Sequence, residues 1–185
     1  MSVDGFPIDI DTLGNLKPLN QVVFSLGSNQ GESLDILQGA VDRLAETPNL
    51  ILVDVSPVYL TAPVEDTDQP DFYNLVVLAE STLEPTVLLE RAQAIEQAYG
   101  RQRNPERPKG PRELDIDLIQ VGNRTSDTPT LQLPHPRAHE RAFVLVPWLD
   151  IDPRATLPEG RAADLVTKLD VSTVRRLDDV RIVKP

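Results

Sequence analysis

The chain has no cysteine. That excludes disulfides, zinc–thiolate centres, iron–sulfur clusters and thiol nucleophiles together. Its two histidines are too few for a histidine-rich metal site. Aromatic residues make up only 4%, so each one is a candidate for a specific task. No apolar run approaches the roughly 20 residues of a membrane span. The acidic opening MSVDGFPIDIDTLGNL lacks the apolar core of a secretory signal. We therefore expect a cytoplasmic protein with no membrane partner. Positive charge is also scarce, with a formal net charge of -11. Such a chain repels phosphate backbones on average, so no nucleic-acid partner is expected. Neither the P-loop pattern nor the G-x-G-x-x-G fingerprint is present, and there is no G-x-S-x-G nucleophile elbow.

Against that acidic background, Arg101 to Leu118 reads RQRNPERPKGPRELDIDL. Five basic residues (Arg101, Arg103, Arg107, Lys109 and Arg112) precede two aspartates spaced i, i+2 in an apolar run. On a strand, Asp115 and Asp117 would point to one face and stand about 6–7 Å apart. Two carboxylates so placed suit magnesium bound to a polyphosphate, because magnesium usually takes one or two carboxylates plus phosphate oxygens and waters. An isolated D-x-D is more often a pair of solvated aspartates. The arginines change that balance, since their forked donors hold phosphate oxygens bidentately.

With 185 residues, 40% hydrophobic and 25% charged, the chain fits one soluble domain. Residues 1–19 read as a leader and 20–185 as a single catalytic domain. A short buried strand is predicted at 21–26, closed by the Gly27-Ser28-Asn29 turn. The segment Gly27 to Gly31 has the look of a phosphate-binding glycine turn. Leu34, Leu37, Val41 and Leu44 form one helical face. Residues 50–59 and 71–80 are β-rich. A helix starts at Pro85, buries Leu88, Ala92, Ile95 and Tyr99, and stops at Gly100. The basic loop follows, then a strand at 114–121. The order β-α-β-β-α-β predicts an α+β fold, the ferredoxin-like core with additional strands and helices, and a mainly antiparallel sheet with its helices on one face. Beyond it, a helix is predicted near 140–149 and another near 164–169.

Three readings of these residues compete: a phosphotransfer enzyme, a magnesium-dependent nuclease or phosphatase using the same carboxylate pair, and a ligand- or RNA-binding module. Other candidates are scattered. His135 between two prolines, with Arg141, could complete an anion pocket. Phe72 and Phe143 could sandwich a flat heterocycle, and Asn74 offers donors and an acceptor to a ring edge, but taken singly these read as core and loop residues.

The motifs FSLGSNQG (24–31), YLTAPV (59–64), DQPDFYNLVV (68–77), GPRELDIDLI (110–119) and LPHPRAHERAFVLVPW (133–148) occur in one chain. In this order and spacing they resemble the 6-hydroxymethyl-7,8-dihydropterin pyrophosphokinases of folate biosynthesis, over about Val22 to Pro153. The resemblance implies transfer of pyrophosphate from ATP to the pterin's hydroxymethyl group. It implies two magnesium ions on Asp115 and Asp117, and Arg101 and Arg112 as catalytic cations in a closing loop. By the same carry-over Gln93, Glu96, Arg101, Arg103, Arg112, His135 and Arg141 bind ATP. Thr61, Val64, Phe72, Asn74 and Phe143 bind the pterin. The implied partners are small-molecule substrates, and a monomer is expected. The chain departs from the family at Lys109, where many members carry tryptophan, and at Thr130, where some carry arginine.

Overall fold

The computed structural model describes residues 2–3, 6–7, 17–100 and 105–185. Most of the expected leader lies outside these residues. Of it, the structure gives a two-residue antiparallel ladder, Ser2–Val3 on Phe6–Pro7, and residues 17–19. Arg101 and Arg103 also lie outside the described residues.

The core elements are β1 (Asn20–Ser28), α1 (Ser33–Ala45), β2 (Leu50–Val55), β3 (Tyr59–Thr61), β4 (Phe72–Ser81), α2 (Pro85–Ala98) and β5 (Asp115–Val121). β4 pairs with β1, and β1 with β5, all antiparallel. The expected second strand breaks in two at Ser56-Pro57-Val58, because proline cannot donate to a ladder. Its halves, β2 and β3, pair with opposite ends of β4. The Ser56 hydroxyl repairs the gap by accepting from Val76 N at 2.8 Å. Spatial order is therefore fourth, first, third, second, as the β-α-β-β-α-β reading requires.

One face of the sheet buries α1 and α2. Leu37, Ala40, Val41 and Leu44 of α1 and Leu88, Ala92 and Ile95 of α2 pack on Val22, Phe24 and Leu26. Pro85 occupies the first turn of α2, and Gly100 adopts φ +78 just beyond it. That left-handed conformation is cheap only for glycine.

The helices do not all lie on one face, as the sequence pattern led us to expect. The remaining elements are a hairpin of β6 (Ser126–Asp127) and β7 (Gln132–Leu133), α3 (Ala142–Ile151), a hairpin of β8 (Thr156–Leu157) and β9 (Gly160–Arg161), α4 (Ala162–Leu165) and β10 (Val174–Arg176). β10 extends the sheet beside β3. Val144, Leu145 and Trp148 of α3 pack on Val23, Val76, Leu78 and Ile119, the sheet's other face. The Tyr59 hydroxyl donates to Asp150, tying β3 to α3. No helix among the described residues is long and apolar enough to cross a membrane.

Candidate active site

α3 covers only part of its sheet face. The uncovered part is the floor of a cavity of about 750 Å³. Two cross-strand rows place the polar residues of its floor. Asn74 of β4, Gly27 of β1 and Asp115 of β5 stand side by side, and so do Val76, Ser25 and Asp117. Directly opposed residues share a face, so both aspartates point into the cavity. Two strand spacings of about 4.8 Å put Asn74 roughly 9.5 Å from Asp115. Gly27 between them leaves open floor. A methyl group there would lie 2.5 Å from Asn74 Oδ1.

The bulge in β5 seats the next wall. Ile119 and Gln120 together oppose Val23, and the freed Ile119 carbonyl accepts from His135 N at 2.8 Å. This fixes the Pro134-His135-Pro136 segment at the cavity edge. His135 Nδ1 accepts from Arg137 N at 3.2 Å, so its proton sits on Nε2. Burial, then the Arg141 charge, pushes the His135 pKa down to about 4. The ring is a neutral donor at physiological pH.

Each aspartate carries an arginine, and each arginine lies over a phenylalanine. Arg112 Nη1 stands 3.2 Å from Asp115 Oδ2, and its guanidinium lies 5.3 Å from the centre of the Phe72 ring. Arg141 Nη1 stands 3.6 Å from Asp117 Oδ2, with its guanidinium 5.5 Å from the Phe143 ring centre. The pairing is incomplete compensation for Asp117. Burial, then the adjacent Asp115 charge, pushes its pKa up to about 7 against the pull of Arg141, Lys109 and Arg112. A half-buried pair of carboxylates whose charge the arginines do not fully offset fits a divalent cation. Among the described residues no three His, Asp or Glu side chains converge into an all-protein metal cage. The open, two-carboxylate arrangement suits magnesium, which keeps waters and takes substrate phosphates as ligands.

On the other side, Asn74 Nδ2 donates to Thr61 Oγ1 at 2.5 Å, both residues being buried. That leaves the amide oxygen and the second N–H for a ligand. Val64, 64% exposed, also lines the cavity. Gln93 and Glu96 of α2 also line the cavity. Glu96 is three residues from Gln93 on the same helix, and it also has a structural task. It is buried, and its Oε2 accepts from Ile116 N at 2.9 Å, fixing the start of β5. The cavity thus gathers Thr61, Val64, Phe72, Asn74, Gln93, Glu96, Arg112, Asp115, Asp117, His135, Arg141 and Phe143.

The glycine turn at 27–31 does something other than its pattern indicated. Its Asn29 is buried and joins three loops. Asn29 Nδ2 donates to Gln69 Oε1 at 2.9 Å and Pro70 O at 3.0 Å, and Asn29 exchanges backbone and side-chain bonds with Arg112. Sequence reasoning also missed Glu65 and Arg137. Arg137 is ion-paired with Glu65 and, at 2.8 Å, with Glu140, bridging the two loops that flank the cavity. Glu65 and Arg137 are far apart in the chain, and no local pattern marks them.

Carboxylates, arginines and a pair of rings in one cavity, on an antiparallel ferredoxin-like sheet, define a site for a charged chain joined to a flat group. The comparisons agree with that class. The family model 7,8-dihydro-6-hydroxymethylpterin-pyrophosphokinase (HPPK) matches residues 23–153, and the chain belongs to that family. It is similar to the 2-amino-4-hydroxy-6-hydroxymethyldihydropteridine pyrophosphokinase of Pseudomonas aeruginosa, 41% identical over 143 residues, covering 77% of this chain and 87% of the relative. The Mycobacterium tuberculosis (strain H37Rv) protein of the same name is 39% identical over 180 residues, covering 90% and 92%. Among solved structures, Plasmodium falciparum HPPK-DHPS resembles it in fold. A variant with SDX-DHP gives a TM-score of 0.68 at 16% identity, covering 89% of this chain and 50% of that one. The wild type with pteroate gives 0.64 at 14%, covering 83% and 43%. This chain spans about half the length of those proteins.

Proposed function

We propose that the cavity binds ATP and 6-hydroxymethyl-7,8-dihydropterin, and that the chain transfers pyrophosphate from the first to the second in folate biosynthesis. The hydroxymethyl oxygen bonds to the β-phosphorus. The bond from that phosphorus to the α–β bridging oxygen breaks, AMP leaves with the electron pair, and the hydroxyl proton is released to solvent. The observation that carries this reading is the twofold Asp–Arg–Phe arrangement on the floor of one cavity. It sets ring faces, fork-shaped cations and a carboxylate pair within one substrate's length of each other.

Asp115 and Asp117 would hold two magnesium ions, which would neutralise charge on the phosphate chain. Attack on phosphorus needs positioning and charge compensation more than covalent chemistry. Arg112 and Arg141 turn from their aspartates to phosphate oxygens, where each charged hydrogen bond is worth about 1.5–3 kcal/mol. Neutral His135 donates Nε2–H to an oxygen of the same chain. Gln93 and Glu96, which line the cavity, are assigned to ATP by resemblance, as are Arg101 and Arg103. Phe72 and Phe143 take the pterin between them, with Asn74 and Thr61 on its polar edge and Val64 over the entrance.

The test is nucleotide product analysis with ATP, magnesium and 6-hydroxymethyl-7,8-dihydropterin. Pterin-dependent AMP without free ADP is the expected result. ADP, or AMP released regardless of pterin, points to the competing hydrolase reading and overturns the proposal.

A further inference from the structure

Among the described residues, four basic side chains line the cavity: Lys109, Arg112, Arg137 and Arg141. The three arginines are all engaged. Arg112 is paired with Asp115, Arg141 with Asp117, and Arg137 with Glu65 and Glu140. Lys109 differs. No carboxylate among the described residues lies within ion-pair distance of its ammonium group.

Its backbone, by contrast, is held in place. Gln69 Nε2 donates to Lys109 O at 2.8 Å, and Gln69 is itself anchored by Asn29. Gly110 N closes a turn onto Arg107 O at 3.0 Å around it. A fixed backbone with a free four-carbon stem delivers a mobile point charge from a defined origin. That charge belongs to the wall of the cavity that also holds Asp115, Asp117 and His135.

We propose that Lys109 is a polyphosphate-binding residue of this site, meeting the phosphate chain of the nucleoside triphosphate. The inference rests on the ATP reading above and adds to it a residue at a position where many family members carry tryptophan. An ammonium group offers three donors and no preferred plane, which suits the oxygens of a phosphate chain approached from the loop side. Each arginine must leave a carboxylate before it can meet phosphate. Lys109 breaks no ion pair, so it can make the first contact.

The experiment compares wild type, Lys109→Met and Lys109→Arg. Binding of ATP and of AMP, each with magnesium, is titrated calorimetrically, and pterin-dependent AMP formation is assayed in parallel. Lys109 is exposed, so both variants should fold as the wild type does. The expected result is a roughly tenfold loss of ATP affinity in Lys109→Met, with AMP affinity changed less than about twofold and Lys109→Arg restoring most of the loss. Equal weakening of ATP and AMP would assign Lys109 to loop structure and overturn the proposal, as would unchanged ATP affinity. The two readings fail separately. If wild type forms no pterin-dependent AMP, the reaction assignment falls. A selective ATP defect in Lys109→Met would still establish the polyphosphate contact.

Discussion

Asp117→Asn should make the ligand-free protein more stable while removing its activity. The carboxyl has an ordinary pKa of 3.8 and is pushed up to about 7 in the fold, by burial first and the Asp115 charge second. An acid whose folded pKa is raised costs nothing below its unfolded value. The cost grows as pH rises from about 4 to 7 and is constant above that. Each tenfold change in proton affinity is worth about 1.4 kcal/mol, so the ceiling is about 4 kcal/mol. The side chain keeps 29% of its surface, and solvent screening brings the expected figure to about 2 kcal/mol. For a chain of this length that is a rise in Tm of about 5 °C. Asparagine keeps the shape and removes the charge. Thermal unfolding at pH 8 without divalent ions should therefore show the variant melting higher, with the gap closing toward pH 4.5. Saturating magnesium should raise the wild-type Tm and leave the variant unmoved. A variant less stable than wild type at pH 8, or a gap of equal size at both pH values, would refute the reasoning.

Gly27→Ala would press a methyl group onto the Asn74 amide. We expect the KM for the pterin to rise about tenfold, the worth of one hydrogen bond, with the KM for ATP little changed. An unchanged pterin KM would remove Asn74 from recognition. Arg112→Ala should lower kcat by about 10²–10³, and Arg112→Lys should not rescue it, because lysine lacks the planar fork. An effect confined to KM would argue against a role in the transition state. His135, with its pKa pushed down to about 4, should add no limb to the pH profile of kcat/KM between pH 5.5 and 8. Wild type and His135→Gln should then give parallel profiles, and a limb near pH 6.5 present in wild type alone would show that the ring ionises.

The core was readable because its periodicities are clean. Leu37, Val41 and Leu44 repeat at helical spacing, and Pro85 and Gly100 bracket the second helix with residues suited to those positions alone. The i, i+2 spacing of Asp115 and Asp117 likewise required only that the segment be a strand. What stayed hidden depends on contacts between distant parts of the chain. The helix 142–151 is apolar almost all round, so nothing in it says which sheet face it covers. Glu96 reads as a surface glutamate until β5 is placed beside it and Ile116 N needs an acceptor. Asn29 sits in a pattern that elsewhere binds phosphate, yet its amide serves Gln69, Pro70 and Arg112. The Glu65–Arg137 pair joins two loops whose proximity is a product of the fold. Motif resemblance supplied Phe72, Asn74 and Phe143, which residue chemistry alone would have left as core positions.

The paired arginines have a consequence for turnover. With Arg112 on Asp115 and Arg141 on Asp117, both arginines on the cavity floor are already engaged. On the proposed reading the substrate would enter by exchange, each arginine giving up a carboxylate for a phosphate oxygen while a cation would take its former place. The same exchange would run backwards once the phosphate chain had been divided between two products. Each carboxylate would then have an arginine within reach, and each arginine leaving phosphate would have a partner waiting. Affinity given up on entry is therefore recovered on exit. A site built this way should bind its substrates only as tightly as catalysis needs and should let its products go without a large conformational expense.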